Sequence, residues 1–302
     1  MRIMCKEKSM HDILGNLPSR TIRCLDHGHV TIVDSMPRLV PHEMKTADFA
    51  IVQAARVSYG DGTKSVNEDR GLIRYLMRHK HTTPFEMIQF KFHCKMPIFV
   101  ARQWVRHRMC SINEYSGRYS IMKDEFYAPD ASNVRAQSKT NKQGGDSASD
   151  ESTASDFLSS VAEVCDGAYG AYEKAVSAGV SREQARMLLP VNLYTEWYWK
   201  IDLHNLLHFL SLRCDSHAQQ EIRVFAEAVL ELIKPIVPWA IEAWEDYHDS
   251  RGAVRLTRLE VDALRKSLDG LKVCQIDSEN TRERSEWASK LATLGLGVSD
   301  SL

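Results

Sequence analysis

From Glu86 to Met96 the chain alternates. Ile88, Phe90, Phe92, Cys94 and Met96 fall on one face, and Gln89, Lys91, His93 and Lys95 fall on the other. A period of two marks a half-buried strand. The period changes at Pro97, whose missing N–H suits the first turn of a helix. Phe99 to Met109 is predicted to be that helix. Arg102 and Arg106 lie four apart in it, as do Gln103 and His107, so two adjacent rows of polar groups run along its surface. Gly117 marks a tight loop beyond it. Ser111, Asn113, Glu114, Ser116 and Arg118 are therefore expected on a loop beside the helix end. A strand that feeds straight into an arginine-rich helix is a place where a ligand site can form.

The rest of the pattern supplies a frame. Residues 21–25 and 29–33 are β-like runs joined by Asp26-His27-Gly28, a hairpin signal. Residues 47–57 are Ala-rich with helical spacing and are broken by residues 58–62. Residues 67–79 carry Leu72, Ile73, Leu76 and Met77 at the spacing of an amphipathic helix. Residues 138–155 hold no apolar residue larger than Ala and read as a mobile surface loop. Residues 156–178 are predicted to be a helix with Leu158, Val161, Cys165, Tyr169, Tyr172 and Val176 on one stripe, stopped by Gly179. Ser181-Arg182-Glu183-Gln184 reads as a capping box opening a short helix that contains Arg186 and ends before Pro190. Residues 193–201 form an aromatic-rich strand, and Asp202 caps a helix reaching Arg213. Further helices are predicted over 218–233, 239–247, 256–268 and 283–294. Residues 1–19 read as a short, weakly ordered extension.

Composition narrows the class. The chain has 302 residues, 43% hydrophobic and 26% charged, as in an ordinary soluble globular protein. The net charge of −1 gives no general nucleic-acid coat. Basic character is local, around residues 102–118, and suits a small anionic ligand better than a long polyanion. Seven cysteines are spread singly with no Cys-x-x-Cys pair, so neither a disulfide framework nor a zinc ribbon is supported. A reducing cytoplasm is the expected setting. There is no apolar run long enough for a signal peptide, and none approaches the roughly 18 residues of a membrane span.

The arginine stretch points to chemistry. Several guanidinium groups converging with Ser and backbone N–H groups suit a phosphate, which they bind with two parallel hydrogen bonds. Gln and Asn amides can read the edge of a base. The plain alternative is a solvated basic helix. Trp104, Phe99 and Val100 interleave the charges and argue instead for a partly buried helix with its arginines aimed at something.

Arg106-His107-Arg108, Ser111, Asn113-Glu114, Ser116 and Arg118 together resemble the signature of the flavin-dependent thymidylate synthases, the ThyX family. Eight positions at fixed spacing make chance agreement negligible. His81-Thr82-Thr83-Pro84-Phe85-Glu86 before the motif resembles a family segment. So do Leu212-Arg213-Cys214-Asp215-Ser216-His217-Ala218-Gln219 after it and the stretch 137–144. The likeness spans residues 20–250. It implies an α+β fold, ThyX-like, with a twisted central sheet flanked by helices. Residues 20–250 would be the catalytic domain, with residues 138–155 as a flexible Ser-rich loop, and residues 251–302 a helical C-terminal extension. The implied activity is reductive methylation of dUMP to dTMP. Methylenetetrahydrofolate gives the one-carbon unit, FAD carries the hydride and NADPH is the reductant. The implied assembly is a homotetramer with shared active sites.

Roles carry over residue by residue. The resemblance gives dUMP to Gln103, Trp104, Val105, Arg106, Glu114, Tyr115, Ser116, Gly117, Arg118, Arg186 and Arg213. Arg118 and Arg186 suit the phosphate, with Ser116 and Gly117 adding hydroxyl and backbone donors. Arg213 is the catalytic candidate, since a fixed cation beside the uracil ring stabilises negative charge there. For FAD the matching positions are Thr83, Arg106, His107, Arg108, Met109, Glu114, Asp202, Leu203, His204 and His208. Some members carry Asn and Arg where this chain has Asp202, His204 and His208. There is no Gly-x-Gly-x-x-Gly loop, so a Rossmann flavin site is not supported. No cysteine matches a nucleophile position, and no base stands beside Ser116 to activate it.

Two other classes remain open at this level. His204 and His208 are four apart, the spacing of a two-histidine metal face, and His217 follows; but Asn205 stands where a His-Glu-x-x-His hydrolase needs its base. No metal is expected. A phosphate- or nucleic-acid-binding module using the arginine helix is the other, and would show a steep salt dependence. Neither a nucleic-acid nor a membrane partner is expected.

Overall fold

The segment that alternates most cleanly is the middle strand of a five-stranded antiparallel sheet. The computed structural model describes residues 10–57, 66–139, 144–247, 257–259, 261–262, 272–274, 276, 278–294 and 296–299. The chain divides into two compact units, Met1–Asp249 and Ser250–Leu302.

The first unit begins with β1 (Met10–Asp12), β2 (Thr21–Cys24), β3 (Gly28–Met36) and β4 (Leu39–Pro41). Helices α1 (Asp48–Arg56), α2 (Val66–Arg78) and α3 (Thr83–Glu86) follow, then β5 (Gln89–Pro97) and α4 (Ile98–Trp104). Next come β6 (Ser111–Glu114), β7 (Arg135–Gln137), β8 (Gly145–Ala148), α5 (Glu151–Ser177) and α6 (Arg182–Ala185). Last are β9 (Tyr194–Asp202), α7 (Leu203–Arg213), α8 (Gln220–Ile233) and α9 (Pro238–Tyr247). The sheet order is β2-β3-β5-β9-β6. The predicted hairpin is β2–β3, with Cys24 opposite Gly28. Only glycine fits at 28, because a Cβ there would lie 2.5 Å from the Cys24 carbonyl oxygen and 2.9 Å from that of Lys95.

One sheet face carries the core. Phe90, Phe92, Cys94 and Met96 on β5 are buried, and so are Trp197, Trp199 and Ile201 on β9. Helices α4, α7 and α8 cover them with Val100, Trp104, Leu206, Phe209, Phe225 and Val229. The other face stays polar. Lys95 pairs with Glu125 at 2.7 Å, and Glu196 pairs with His93 at 3.0 Å and Lys123 at 3.1 Å.

The arginine helix is shorter than its pattern predicts. It ends at Trp104, and residues 111–114, expected as loop, form β6. No Gly or Pro stops the helix here. The open edge of β9 takes up the backbone of 111–114 instead, in register from Ser111 opposite Lys200 to Glu114 opposite Trp197. Pairing an open edge outweighs a modest local helix preference.

Three further expectations are corrected. Residues 138–155 are not one loop: β8 pairs with β7, and α5 starts at Glu151, five residues ahead of the predicted start at 156. Asp150 caps it, accepting from the Thr153 N–H at 2.9 Å, and these donors hold its carboxyl down to about 2. Ser181 makes no side-chain cap bond, so the capping box does not form. Part of the expected N-terminal extension is built into the unit, since β1 pairs with β4 and Ile13 and Leu14 are buried. Asp202 does cap α7 as predicted, accepting from the Asn205 N–H at 2.9 Å.

In the second unit, β10 (Lys272–Cys274) pairs in parallel with β11 (Gly297–Ser299), on either side of α10 (Thr281–Thr293). The helix is capped by Asn280. The predicted helix over 256–268 falls largely outside the described residues.

Candidate active site

Trp104 fixes where the arginine motif emerges. It is fully buried, stacked on Phe209 at 5.0 Å and edge-on to Trp197 at 5.6 Å and Trp199 at 5.0 Å. Burying an aromatic ring of this size contributes roughly 1.5–3 kcal/mol, so the end of α4 is locked against β9 and α7. The backbone then turns out of the core, and residues 106–109 form one wall of a cavity of about 620 Å³. The facing wall comes from Ile201 at the end of β9 and from Asn205, His208, Leu212 and Arg213 on α7. Positions 205, 208 and 212 share a helix face by their spacing.

The two walls touch at Arg213 and His107. The Arg213 Nε donates to His107 Nε2 at 3.1 Å. An imidazole nitrogen that accepts carries no proton, so the His107 ring is neutral with its proton on Nδ1. Burial first, then the positive charge of Arg213 and the neighbouring His208, push its pKa down to about 4. The His208 ring lies 6.1 Å away and Phe209 braces the imidazole edge-on at 4.9 Å. Arg213 is itself half-buried, which lowers its pKa from the usual value, yet a guanidinium stays charged. One turn back on α4, Gln103 Oε1 is buried without a partner. Such an atom is costly unless something outside the described chain donates to it. Arg106 and Arg108 have no carboxylate partner among the described residues. These groups suit an anionic, ring-bearing ligand.

A second group forms around Gly117. The Arg118 N–H donates to Ser116 Oγ at 3.3 Å, and the Arg118 guanidinium pairs with Glu183 at 2.9 Å. Arg186 Nε donates to the Glu183 carbonyl oxygen at 3.3 Å, and Arg182 donates to the Tyr119 carbonyl oxygen at 2.9 Å. Gly117 is buried against Met122 and Arg186: a Cβ would lie 2.8 Å from the Met122 sulfur and 3.4 Å from Arg186 Cδ. The loop is braced from below, since the Tyr172 hydroxyl accepts from the Met122 N–H and the Tyr169 hydroxyl donates to the Met122 carbonyl, both at 3.0 Å. The exposed Arg118–Glu183 pair adds little stability, about 0–1 kcal/mol; it leaves a concentrated patch of guanidinium and hydroxyl donors.

The structure therefore brings Arg106, His107, Arg108, Met109, His208 and Arg213 together, and Ser116, Gly117, Arg118 and Arg186 together. None of the second set lines the cavity. Glu114 lies on β6, its Oε1 accepting from Thr195 at 2.8 Å. Val105 is exposed, and Tyr115 is tied to the Ile121 carbonyl at 2.7 Å. Trp104 and Leu203 have core side chains, so they can offer a ligand nothing beyond backbone. Asp202 spends both oxygens on Asn205. Thr83 opens α3, which packs on α7. His204 is half-buried and lies outside the cavity wall.

Residue-by-residue matching missed Thr195, Glu183 and Asn205. Only the strand register and loop packing reveal them, so no sequence spacing marks them. Cys110 is half-buried, its thiol donates to the His107 carbonyl at 3.1 Å, and burial pushes its pKa up. Among the described residues no group of three His, Cys, Asp or Glu side chains could hold a metal, and no helix is long and apolar enough to cross a membrane.

Residues 38–239 match the family model described as thymidylate synthase complementing protein, Thy1. A flavin-dependent thymidylate synthase of Dictyostelium discoideum is 51% identical over 284 residues, covering 94% of this chain and 90% of the relative. One of Thermus thermophilus is 52% identical over 279 residues, 92% of each. Among solved structures, the UMP/dUMP methylase PolB of Streptomyces cacaoi, bound with 5-Br dUMP, superposes with a TM-score of 0.65 at 33% identity. That match covers 75% of this chain and 98% of the other.

Proposed function

The chain belongs to the family of flavin-dependent thymidylate synthases, and we propose that it makes dTMP from dUMP by reductive methylation, with methylenetetrahydrofolate as one-carbon donor and NADPH as reductant. The observation that carries this reading is the Arg213–His107 contact in the cavity wall. A guanidinium held in place by a neutral imidazole presents its remaining N–H groups as a fixed cation. Beside a uracil ring, that cation stabilises the negative charge that develops as the ring is activated. Activation is electrostatic: the Cys110 thiol is engaged and its pKa raised, so it is not a ready thiolate.

Arg118 and Arg186 take the phosphate, with Ser116 and the Gly117 backbone adding donors. Gln103 supplies its amide to the nucleotide. Arg106, His107, Arg108, Met109 and His208 would hold FAD: the cationic and imidazole groups suit a diphosphate, and Met109 and Leu212 suit a flat ring. When bound, FAD supplies the hydride that completes the methyl group. Because the phosphate group of residues does not line the cavity, we take the complete site to be built from two copies within a homotetramer. We place the enzyme in the cytoplasm, where its free thiols stay reduced.

The test is a visible absorption spectrum of the purified protein before and after dUMP is added. A flavin band that shifts with dUMP is expected. A colourless protein that takes up no FAD and binds no dUMP overturns the reading.

A further inference from the structure

Thr195 lies in β9, 3% exposed, on the core side of the sheet with Trp197 and Trp199. A buried hydroxyl needs a hydrogen-bond partner. Thr195 finds an exposed one across the strand pair, donating to Glu114 Oε1 at 2.8 Å. The register makes this contact possible: Glu114 stands opposite Trp197, so Thr195 is its diagonal neighbour. The next residue repeats the tie through the backbone, the Tyr115 N–H donating to the Glu196 carbonyl at 2.8 Å. Consecutive residues of β9 thus fix the Glu114 side chain and the chain leaving it. Oε2 of Glu114 has no protein partner among the described residues.

We propose that the Thr195 hydroxyl is a positioning group for substrate binding: it holds Oε1 of Glu114 so that Oε2 is presented, already ordered, to a donor on dUMP. The inference rests on the reading of Glu114 as a dUMP-holding residue. A carboxylate only accepts, so the ligand group it takes is an N–H or O–H of the nucleotide. An untethered glutamate would lose its rotamer freedom on binding; the threonine removes much of that loss beforehand.

The experiment titrates dUMP into the FAD-loaded enzyme, following the flavin band, for wild type, Thr195→Val, Thr195→Ser, Glu114→Gln and the Thr195→Val/Glu114→Gln double variant. Thr195→Val keeps shape and removes the hydroxyl, and should weaken dUMP binding roughly 10-fold. Thr195→Ser keeps the hydroxyl and should bind within about 3-fold of wild type. The valine change should add nothing on top of Glu114→Gln, because both act through one carboxylate. A merely structural threonine would instead add its effect independently. Wild-type binding in Thr195→Val alongside impaired Glu114→Gln overturns the inference and leaves the site reading standing. Unimpaired Glu114→Gln, or a wild type that binds no dUMP, overturns both. If the valine variant does not fold, Thr195→Ala carries the same comparison.

Discussion

Arg213 Nε donates to His107 Nε2 across 3.1 Å, from the end of α7 to the turn after α4. The contact requires an unprotonated imidazole nitrogen, and it sets the pH behaviour of the site. His107 titrates at about 4 in the folded chain against an ordinary 6.5. As pH falls, the unfolded chain binds this proton first, so the contribution to stability is present above pH 6.5 and is lost down to about pH 4. The ring is half-exposed, so solvent screening reduces the effect to about 1–2 kcal/mol. Urea unfolding between pH 7 and pH 4 should show wild type losing that much more stability than His107→Gln. Parallel pH curves would defeat this assignment.

Arg213→Ala should fold and still bind dUMP, yet turn over about 100- to 1000-fold more slowly, the scale seen when a fixed transition-state donor is removed. Arg213→Lys should recover only part, because a point charge lacks the fork that meets both His107 and a ring. Single-turnover kinetics on saturated enzyme would show it. An unchanged kcat in Arg213→Ala would rule out a charge-stabilising role.

Arg186→Ala should weaken dUMP about 10- to 100-fold while leaving binding of the neutral nucleoside deoxyuridine nearly unchanged, since a charge-assisted bond to phosphate is lost. Parallel titrations with both ligands decide it. Equal weakening of the two would mean Arg186 acts on the fold of the loop.

Gly117→Ala should push against the Met122 sulfur, which a Cβ would approach to 2.8 Å, while its 3.4 Å distance to Arg186 Cδ is ordinary contact. The expected outcome is roughly 1–3 kcal/mol of lost stability from overpacking, with dUMP binding weakened because the 116–118 loop shifts to make room beside Met122. Thermal melts with and without dUMP test both parts. Wild-type melting and binding would show that Met122 yields freely.

Much of this was legible in the chain itself. The period-two alternation of residues 88–96 marked the central strand because the sheet is covered on one face only. Asp202 marked the start of α7 because a carboxylate there satisfies an N–H that the helix leaves open. The spacing of Arg106, His107, Arg108, Ser111, Asn113, Glu114, Ser116 and Arg118 marked the family, because chemistry constrains those identities one by one.

Other features were settled only by tertiary structure. Nothing local ends α4 at Trp104 or extends residues 111–114; the open edge of β9 does both. No spacing links Thr195 to Glu114, Glu183 to Arg118 or Arg213 to His107, separated by 81, 65 and 106 positions. Sequence pattern records what each residue needs from its own element: a face to bury, a cap, a turn. Which distant group answers a buried hydroxyl or a guanidinium depends on strand register and helix packing, and those are fixed when the whole core closes.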